Sequence, residues 1–312
     1  MSALRQLMVQ DLSASVPEGL PALLESIERR FGQAVLGIVL YGSCRRQQQL
    51  DEGLVDLLVI VSSYRAAYGF GLAAVFNRLL PPNVYYLEAE SPLGRLRSKY
   101  AVITLSQFRR RCRHPVDLYF WARFTQPCRL VLSRDQALAE QLADARASAA
   151  HGFAGRITPL FAQRCSPVDF WSFALATTYR CELRPEPPGM ARSLVESDAN
   201  YWQRLSEALA CANLAPKADP RDKPPAQQIS GRLARRWFTH AAWAARRVSG
   251  KLYNLARLFK SAGTFSNGID YIVWKVERHS GVRVEPTERM RRYPRLAAWG
   301  LAWQMWRQGG FR

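Results

Sequence analysis

All strand-like runs of this chain lie in its first 133 residues, and this asymmetry limits the folds open to it. They occupy residues 34–42, 53–61, 83–89, 99–105 and 127–133. Helix-like runs at 20–31 and 66–80 alternate with them. From residue 136 onward such runs vanish and helical periodicity continues. The pattern predicts an α+β protein, with a mixed-sheet domain followed by a mostly helical domain.

A change in composition suggests that the helical part of the 312-residue chain has two segments. A polar, Pro-rich stretch at 215–228 favours a break between elements. We therefore predict three segments: a mixed α/β domain at 1–135, a helical domain at 136–230 and a basic helical region at 231–312.

Positive charge is concentrated near the C-terminus. The formal net charge is +19, and residues 231–312 carry 17 Lys or Arg against 4 Asp or Glu. Such a block attracts polyanions, either nucleic acid or an anionic lipid surface. Leu296, Trp299, Trp303 and Trp306 fall on one helical stripe of this block. The stripe is typical of a helix that lies in a lipid interface or docks on the protein itself.

The spacing of the cysteines and the length of the apolar runs indicate the cellular compartment of the protein. The six Cys residues are widely spaced, without a metal-ligand or disulfide pattern, so we expect a reducing compartment. The first twenty residues include Asp11 and Glu18 and lack the pattern of a signal or transit peptide. No run reaches the roughly 18 apolar residues of a membrane span. We expect a soluble or peripheral protein.

The stretch "LYGSCRRQQQLDEGLVDLLVIV" at 40–61 has the layout of the nucleotidyltransferase fold. Gly42 lets the backbone approach triphosphate oxygens, and the Ser43 hydroxyl and the following amide donate to phosphate. Asp56 on the second strand offers a hard oxygen ligand for Mg²⁺. Two acids at alternate strand positions are usual in this fold, but Leu54 and Leu58 flank Asp56 here. An ordinary hairpin with a stray Asp therefore stays open at this point.

Further motifs resemble the mitochondrial phosphatidate cytidylyltransferase family, also known as the mitochondrial translocator assembly and maintenance family, which has bacterial relatives. The order and spacing of the motifs agree over about two thirds of the chain. They are "YGS" (41–43), "VDLLVIV" (55–61), "NVYY" (83–86), "GRLRSKYAVI" (94–103), "DLYFWARFTQP" (117–127), "TTYRCELRPE" (177–186) and the basic "KLYNLARLFKSAGTF" (251–265).

The resemblance implies a peripheral membrane enzyme that converts phosphatidic acid and CTP to CDP-diacylglycerol and pyrophosphate with Mg²⁺. It assigns residues 1–135 to the nucleotidyltransferase domain and Asp56 to the metal, with Glu52 or Glu182 as a possible second ligand. The residues it places at the nucleotide are Tyr41, Gly42, Ser43, Lys99 and Arg123. Those it places at the substrate phosphate are Tyr179, Glu182, Arg184 and Lys260. The catalytic set is Asp56, Lys99, Arg184 and Lys260.

Each of these cations and polar residues also has a structural interpretation. Lys99 can be a solvated lysine at a strand start, and Arg123 can form an ion pair with Asp117. Tyr179, Glu182 and Arg184 can form an internal polar network, and Lys260 can lie on a solvated helix face. His279 is better suited to a helix-end cap than to acid–base catalysis.

The chemistry of a phosphate nucleophile fits the reduced acidic cluster. A phosphate monoester is already largely dianionic near neutral pH, since its second pKa is about 6. No general base is then needed, but cations must line the site where two anions meet.

Two other classes of function remain open. One is a nucleotidyltransferase that acts on RNA or a small hydroxyl substrate, and the other is an inactive binding module with the same fold. For the leading hypothesis we expect CTP, phosphatidic acid and an anionic membrane surface as partners, with no stable nucleic acid. Arg outnumbers Lys 38 to 6, which favours a GC-rich bacterial source. Because no transit peptide is evident, we expect the protein at the cytoplasmic face of an inner membrane.

Overall fold

The computed structural model describes residues 2–45, 53–92, 94–114, 118–160, 165–181, 189–210, 226–264 and 288. For residues 119, 210, 226–237, 258, 259 and 261–264 only the backbone is described. The described residues form an α+β structure with a five-stranded mixed sheet and eleven α-helices. The fold class predicted from the sequence is confirmed.

The five strands coincide with the five strand-like runs of the sequence. Their order in the sheet is β3-β4-β2-β1-β5, and β1 with β5 and β3 with β4 are antiparallel pairs. The register pairs Leu40 with Arg129 and Tyr86 with Lys99. The strands are β1 (Val35–Tyr41), β2 (Leu54–Val61), β3 (Asn83–Ser91), β4 (Gly94–Thr104) and β5 (Arg129–Ser133).

Helices precede, interrupt and follow the strands. Those in the first 135 residues are α1 (Ala3–Leu12), α2 (Pro21–Phe31), α3 (Tyr64–Tyr68), α4 (Leu72–Leu79), α5 (Leu105–Arg113) and α6 (Tyr119–Thr125). Those that follow are α7 (Gln136–Ile157), α8 (Pro167–Tyr179), α9 (Met190–Glu196), α10 (Ala199–Ala210) and α11 (Ala226–Thr264). The single helix predicted over 66–80 is wrong. Helix α3 ends at Tyr68, and the next residue, Gly69, has a φ of +66° that favours glycine.

The chain divides into two compact units. The first unit comprises Met1–Val16, Leu36–Tyr41 and Thr104–Arg257, and the second comprises Pro17–Val35, Gly42–Ile103 and Leu258–Arg312. The three segments predicted at 1–135, 136–230 and 231–312 stay a prediction.

The first unit is built around α7. Helices α1, α5 and α6 pack against it, and Asp135 caps its first turn by accepting from the amide of Ala137. Large aromatic side chains fill this core, and the rings of Trp171 and Trp202 lie 5.0 Å apart. Burial of such rings contributes most of the packing energy of a helical core.

The second unit has a core of tyrosines on one face of its sheet. Tyr85 and Tyr100 pair across β3 and β4, with ring centroids 5.3 Å apart. Arg30 of α2 lies over Tyr85 and donates to the Tyr100 hydroxyl over 2.7 Å. Burial raises the pKa of Tyr100 to about 12, so this hydroxyl stays protonated at neutral pH.

No helix in the described part of the chain is long and apolar enough to cross a membrane.

Candidate active site

The chain leaves β1 in a sharp turn at Gly42, which has a φ of +82°. A Cβ atom placed on this residue would lie 2.7 Å from Oδ2 of Asp56, well inside van der Waals contact. Glycine is therefore required twice here, for the backbone conformation and for the space that the carboxylate occupies. The turn and the acid that the sequence analysis singled out are adjacent in the second unit.

Two buried residues follow this turn, and the sequence analysis assigned neither of them. The Cys44 thiol donates to the carbonyl oxygen of Leu54 over 3.1 Å, which ties the turn to the start of β2. Arg45, three residues after Gly42 in the chain, is only 7% exposed. Their only sequence signal is their position directly after Gly42 and Ser43, and that position does not predict burial.

Asp56 lies near the start of β2, which is the central strand of the sheet. The strand is otherwise fully buried from Leu57 to Val61, while Asp56 keeps partial exposure. Near the end of a strand, a carboxylate stays in contact with water. It therefore avoids most of the desolvation energy that it would lose at a buried position of β2. Ser43, in the short 3₁₀ turn Ser43–Arg45, is exposed. The pair thus presents a carboxylate and a hydroxyl at one end of the sheet.

Tyr41 and Arg123, both predicted at the nucleotide, contact each other in the first unit. The Arg123 guanidinium lies 5.3 Å from the centroid of the Tyr41 ring, within the range of a cation–π interaction. Tyr41 is buried and also packs edge-on against Phe124 of α6. Asp117, the alternative partner proposed for Arg123, lies outside the described residues.

Lys99 lies on β4, the neighbour of β2 in the sheet. It is partly exposed, and its cross-strand neighbour is Tyr86, whose hydroxyl donates to Glu88 over 2.6 Å. The adjacent positions on this face form a ladder of ion pairs in which Arg95 and Arg97 contact Glu88 and Glu90. Lys99 therefore belongs to the same unit as Gly42 and Asp56.

Lys260 of α11 contacts the connection between α4 and β3. Its Nζ donates to the carbonyl oxygen of Leu80 and, over 3.1 Å, to that of Pro82. This contact fixes the end of α11 in the second unit. A role of Lys260 at a substrate phosphate stays a prediction, and it requires that Nζ exchange a carbonyl for the phosphate.

The remaining predicted residues are only partly described. Tyr179 is the last residue of α8 and is half-buried. Glu182 and Arg184 lie outside the described residues, as do Glu52, His279 and the stripe from Leu296 to Trp306.

The Asp56 carboxylate would need phosphate oxygens of a substrate as further ligands to hold Mg²⁺. The part of the chain that the structure describes contains no group of three His, Cys, Asp or Glu side chains arranged to hold a metal ion. Mg²⁺ in phosphoryl-transfer sites is commonly held by one or two carboxylates together with substrate phosphates and water. Asp56, which is partly exposed and lies against Gly42, could supply one carboxylate to such a site.

Comparison with known proteins adds no homologue. No family model matches the chain, and no curated protein shows a significant similarity to it. The functional assignment therefore depends on the residues themselves.

Proposed function

We propose that this protein is a phosphatidate cytidylyltransferase, which transfers CMP from CTP to phosphatidic acid and releases pyrophosphate. The observation that supports it most is the contact between Gly42 and Asp56. Their close approach puts a phosphate-binding turn and a metal-binding carboxylate side by side, as nucleotidyl transfer requires. The resemblance of the surrounding motifs selects CTP and phosphatidic acid among the substrates of that reaction.

In this proposal the turn binds the triphosphate of CTP. The exposed Ser43 hydroxyl donates to phosphate oxygens, and the absence of a side chain at Gly42 leaves room for the Asp56 carboxylate beside the turn. Mg²⁺, when bound by Asp56, neutralises charge on the triphosphate and on the leaving pyrophosphate. Lys99, in the same unit as Gly42 and Asp56, supplies further positive charge for the nucleotide. The role of Arg123, which lies in the first unit, stays a prediction.

The reaction needs no general base on the protein. A phosphate oxygen of phosphatidic acid attacks the α-phosphorus of CTP, and the bond from that phosphorus to the oxygen bridging to the β-phosphate breaks. Pyrophosphate leaves with the electron pair of that bond. The attacking phosphate is already a dianion near neutral pH, so no proton has to be removed. This agrees with a site whose described acid is Asp56.

Helix α4 supports a lipid rather than a soluble acceptor. Its apolar side chains point outward: Leu72, Val75, Phe76 and Leu79 are between 46% and 74% exposed, and the preceding Phe70 is 83% exposed. Contiguous apolar surface of this kind marks an interaction site. The surrounding residues 62–82 contain two Arg and no Asp or Glu, a charge that complements an anionic lipid surface.

A polar anchor holds α4 in this inverted orientation. Asn77 is fully buried, and its Nδ2 donates to the carbonyl oxygen of Val102 over 3.0 Å. Its Oδ1 accepts from the amide of Asn83 over 2.7 Å. Because the polar side chain faces the protein and the apolar ones face outward, the exposed face is a built feature of the helix.

We expect Phe76→Asp to weaken binding to vesicles of phosphatidylcholine and phosphatidic acid roughly tenfold to a hundredfold, since burying one Phe is worth about 1.5–3 kcal/mol. Cosedimentation measures it. Phe173→Asp, on α8, is the matched control because Phe173 is also an exposed phenylalanine and should leave binding unchanged. If both variants lost vesicle binding equally, or if Phe76→Asp lost none, α4 would not be the element that contacts lipid.

Two glycine variants test the proposed site. Gly42→Ala should lower CMP transfer at least about a hundredfold, because the added methyl group displaces the turn or the Asp56 carboxylate by roughly an ångström. Gly69→Ala is the control, since Gly69 also has a positive φ but no atom within 4 Å of an added Cβ. It should share the backbone strain, roughly 1–2 kcal/mol, and keep its activity. Equal activity of the two variants would contradict the assigned role of Gly42.

A further inference from the structure

A cavity of about 280 Å³ lies between the end of α7 and the middle of α11, within the first unit. Its walls include two arginines, Arg156 and Arg246, and two aromatic residues, Trp243 and Phe238. None of these residues takes part in the site at Gly42 and Asp56.

Arg156 is held in one orientation. Its Nη1 donates to the carbonyl oxygen of Gly152 over 3.0 Å, and its Cζ lies 4.3 Å from the centroid of a Trp121 ring. The Nε1 of buried Trp243 donates to the Arg156 carbonyl oxygen over 3.3 Å. The contacts with Gly152 and Trp121 restrain the exposed guanidinium before any ligand arrives, which reduces the entropy that binding would cost.

The two arginines share the cavity without an acidic partner among the residues described. Helix α11 contains eight Lys or Arg and no Asp or Glu. On α7, Glu140 and Asp144 are paired with Arg5. Arg156 is exposed and Arg246 is half-buried. Partial desolvation lowers the pKa of both arginines, and the charge of Arg246 lowers that of Arg156 further. Neighbouring cations of this kind favour a bound anion.

We propose that this cavity binds a phosphomonoester, with its phosphate between Arg156 and Arg246 and its organic part against Trp243 and Phe238. Two guanidinium groups match the double negative charge that a phosphomonoester carries near neutral pH, and each can bind phosphate oxygens in a bidentate manner. A carboxylate would leave one positive charge uncompensated. Phe238 is 66% exposed, so the apolar wall is open to an arriving ligand.

The size of the cavity limits the ligand. Sites for drug-sized molecules occupy roughly 300–1,000 Å³, so a volume of about 280 Å³ suits a small phosphate ester. Two sources offer this chemistry: a free metabolite of the size of glycerol phosphate, or the head group of phosphatidic acid. The inference does not depend on the proposed enzymatic function.

The test is calorimetric titration of the full chain, without nucleotide or divalent cation, using two probes. Glycerol 3-phosphate represents the free ester, and a water-soluble short-chain phosphatidic acid represents the head group. We expect Arg156→Gln and Arg246→Gln each to weaken binding about tenfold or more, since a charge-assisted hydrogen bond is lost. Arg247→Gln is the matched control, because Arg247 is the next residue on α11, is exposed and does not line the cavity.

The outcomes separate a specific site from general attraction to a basic protein. Binding lost in Arg156→Gln and Arg246→Gln but kept in Arg247→Gln and Asp56→Asn supports the proposal, and the probe that binds identifies the source. Affinity should also rise as pH increases through about 6, where the phosphate loses its second proton. Equal weakening in all three arginine variants, or no binding of either probe, overturns it.

A melting-temperature measurement without ligand excludes a merely structural role. If the arginines serve a ligand, Arg246→Gln removes a like-charge repulsion and leaves the melting temperature unchanged or higher. If this variant had a lower melting temperature and unchanged ligand affinity, Arg246 would stabilise the fold rather than bind the ligand.

Discussion

Asp56→Asn should lower CMP transfer about a thousandfold or more while the protein stays folded. An amide has the size of the carboxylate and fits beside Gly42, but it lacks the negative charge that a hard cation requires. Losing several kcal/mol of charge stabilisation at the transferring phosphoryl group corresponds to a rate decrease of that order. Product formation over a range of Mg²⁺ concentrations measures the effect.

Glu90→Gln provides the control for Asp56→Asn. Glu90 belongs to the same unit and forms an exposed ion pair with Arg95, so its neutralisation removes one negative charge without touching the site. We expect full activity in this variant. If Asp56→Asn retained activity with unchanged Mg²⁺ dependence, Asp56 would not be the metal ligand.

Asp11→Asn should destabilise the protein by about 3–5 kcal/mol, the usual effect of removing one partner from a buried ion pair. The carboxylate of Asp11 lies 2.6 Å from Nη2 of Arg146, whose side chain is 1% exposed. Asp11 also accepts from the amide of Cys128. Without the carboxylate, the charge of Arg146 stays buried with uncharged partners, which are the carbonyl oxygens of Met8, Phe124 and Gln126 and the Tyr201 hydroxyl.

Asp144→Asn is the matched control for stability, because Asp144 contacts Arg5 at the same distance of 2.6 Å but is half exposed. Exposed pairs contribute about 0–1 kcal/mol, so this variant should unfold almost as the unaltered protein does. Urea denaturation followed by circular dichroism compares the two. Similar free energies of unfolding for both variants would show that burial does not strengthen the pair with Arg146.

The strands were predictable because short, continuous apolar runs such as that of β2 are typical of buried strands. In β2, residues Leu57–Val61 are buried on both faces of the sheet, so an uninterrupted apolar run was the expected signal. The same run made Asp56 conspicuous, since a single acid within it needs a partner or solvent. The candidate site was thus suggested by a single acid in an otherwise apolar strand.

Helix α4 shows what periodicity leaves undetermined. Leu72, Val75, Phe76 and Leu79 recur at helical spacing, which predicts an amphipathic helix whose apolar face packs inward. The structure turns this face outward, because Asn77 makes its hydrogen bonds within the protein. The spacing of apolar residues identifies the two faces of a helix, but it does not show which face packs against the core.

The arginine cavity had no signal in the sequence at all. Arg156 and Arg246 lie on different helices, α7 and α11, and neither belongs to a motif. Trp243 of α11 donates to the carbonyl oxygen of Arg156 at the end of α7, and all three residues line one cavity. Sites assembled from distant helices depend on tertiary contacts that local spacing does not encode.

The most direct test of the central proposal is the product formed by the unaltered protein. Purified protein is incubated with phosphatidic acid vesicles, Mg²⁺ and each of the four ribonucleoside triphosphates in turn, labelled at the α-phosphate. We predict a labelled lipid, CDP-diacylglycerol, and equimolar pyrophosphate with CTP. Folded protein that forms no labelled lipid with any of the four nucleotides would contradict the account.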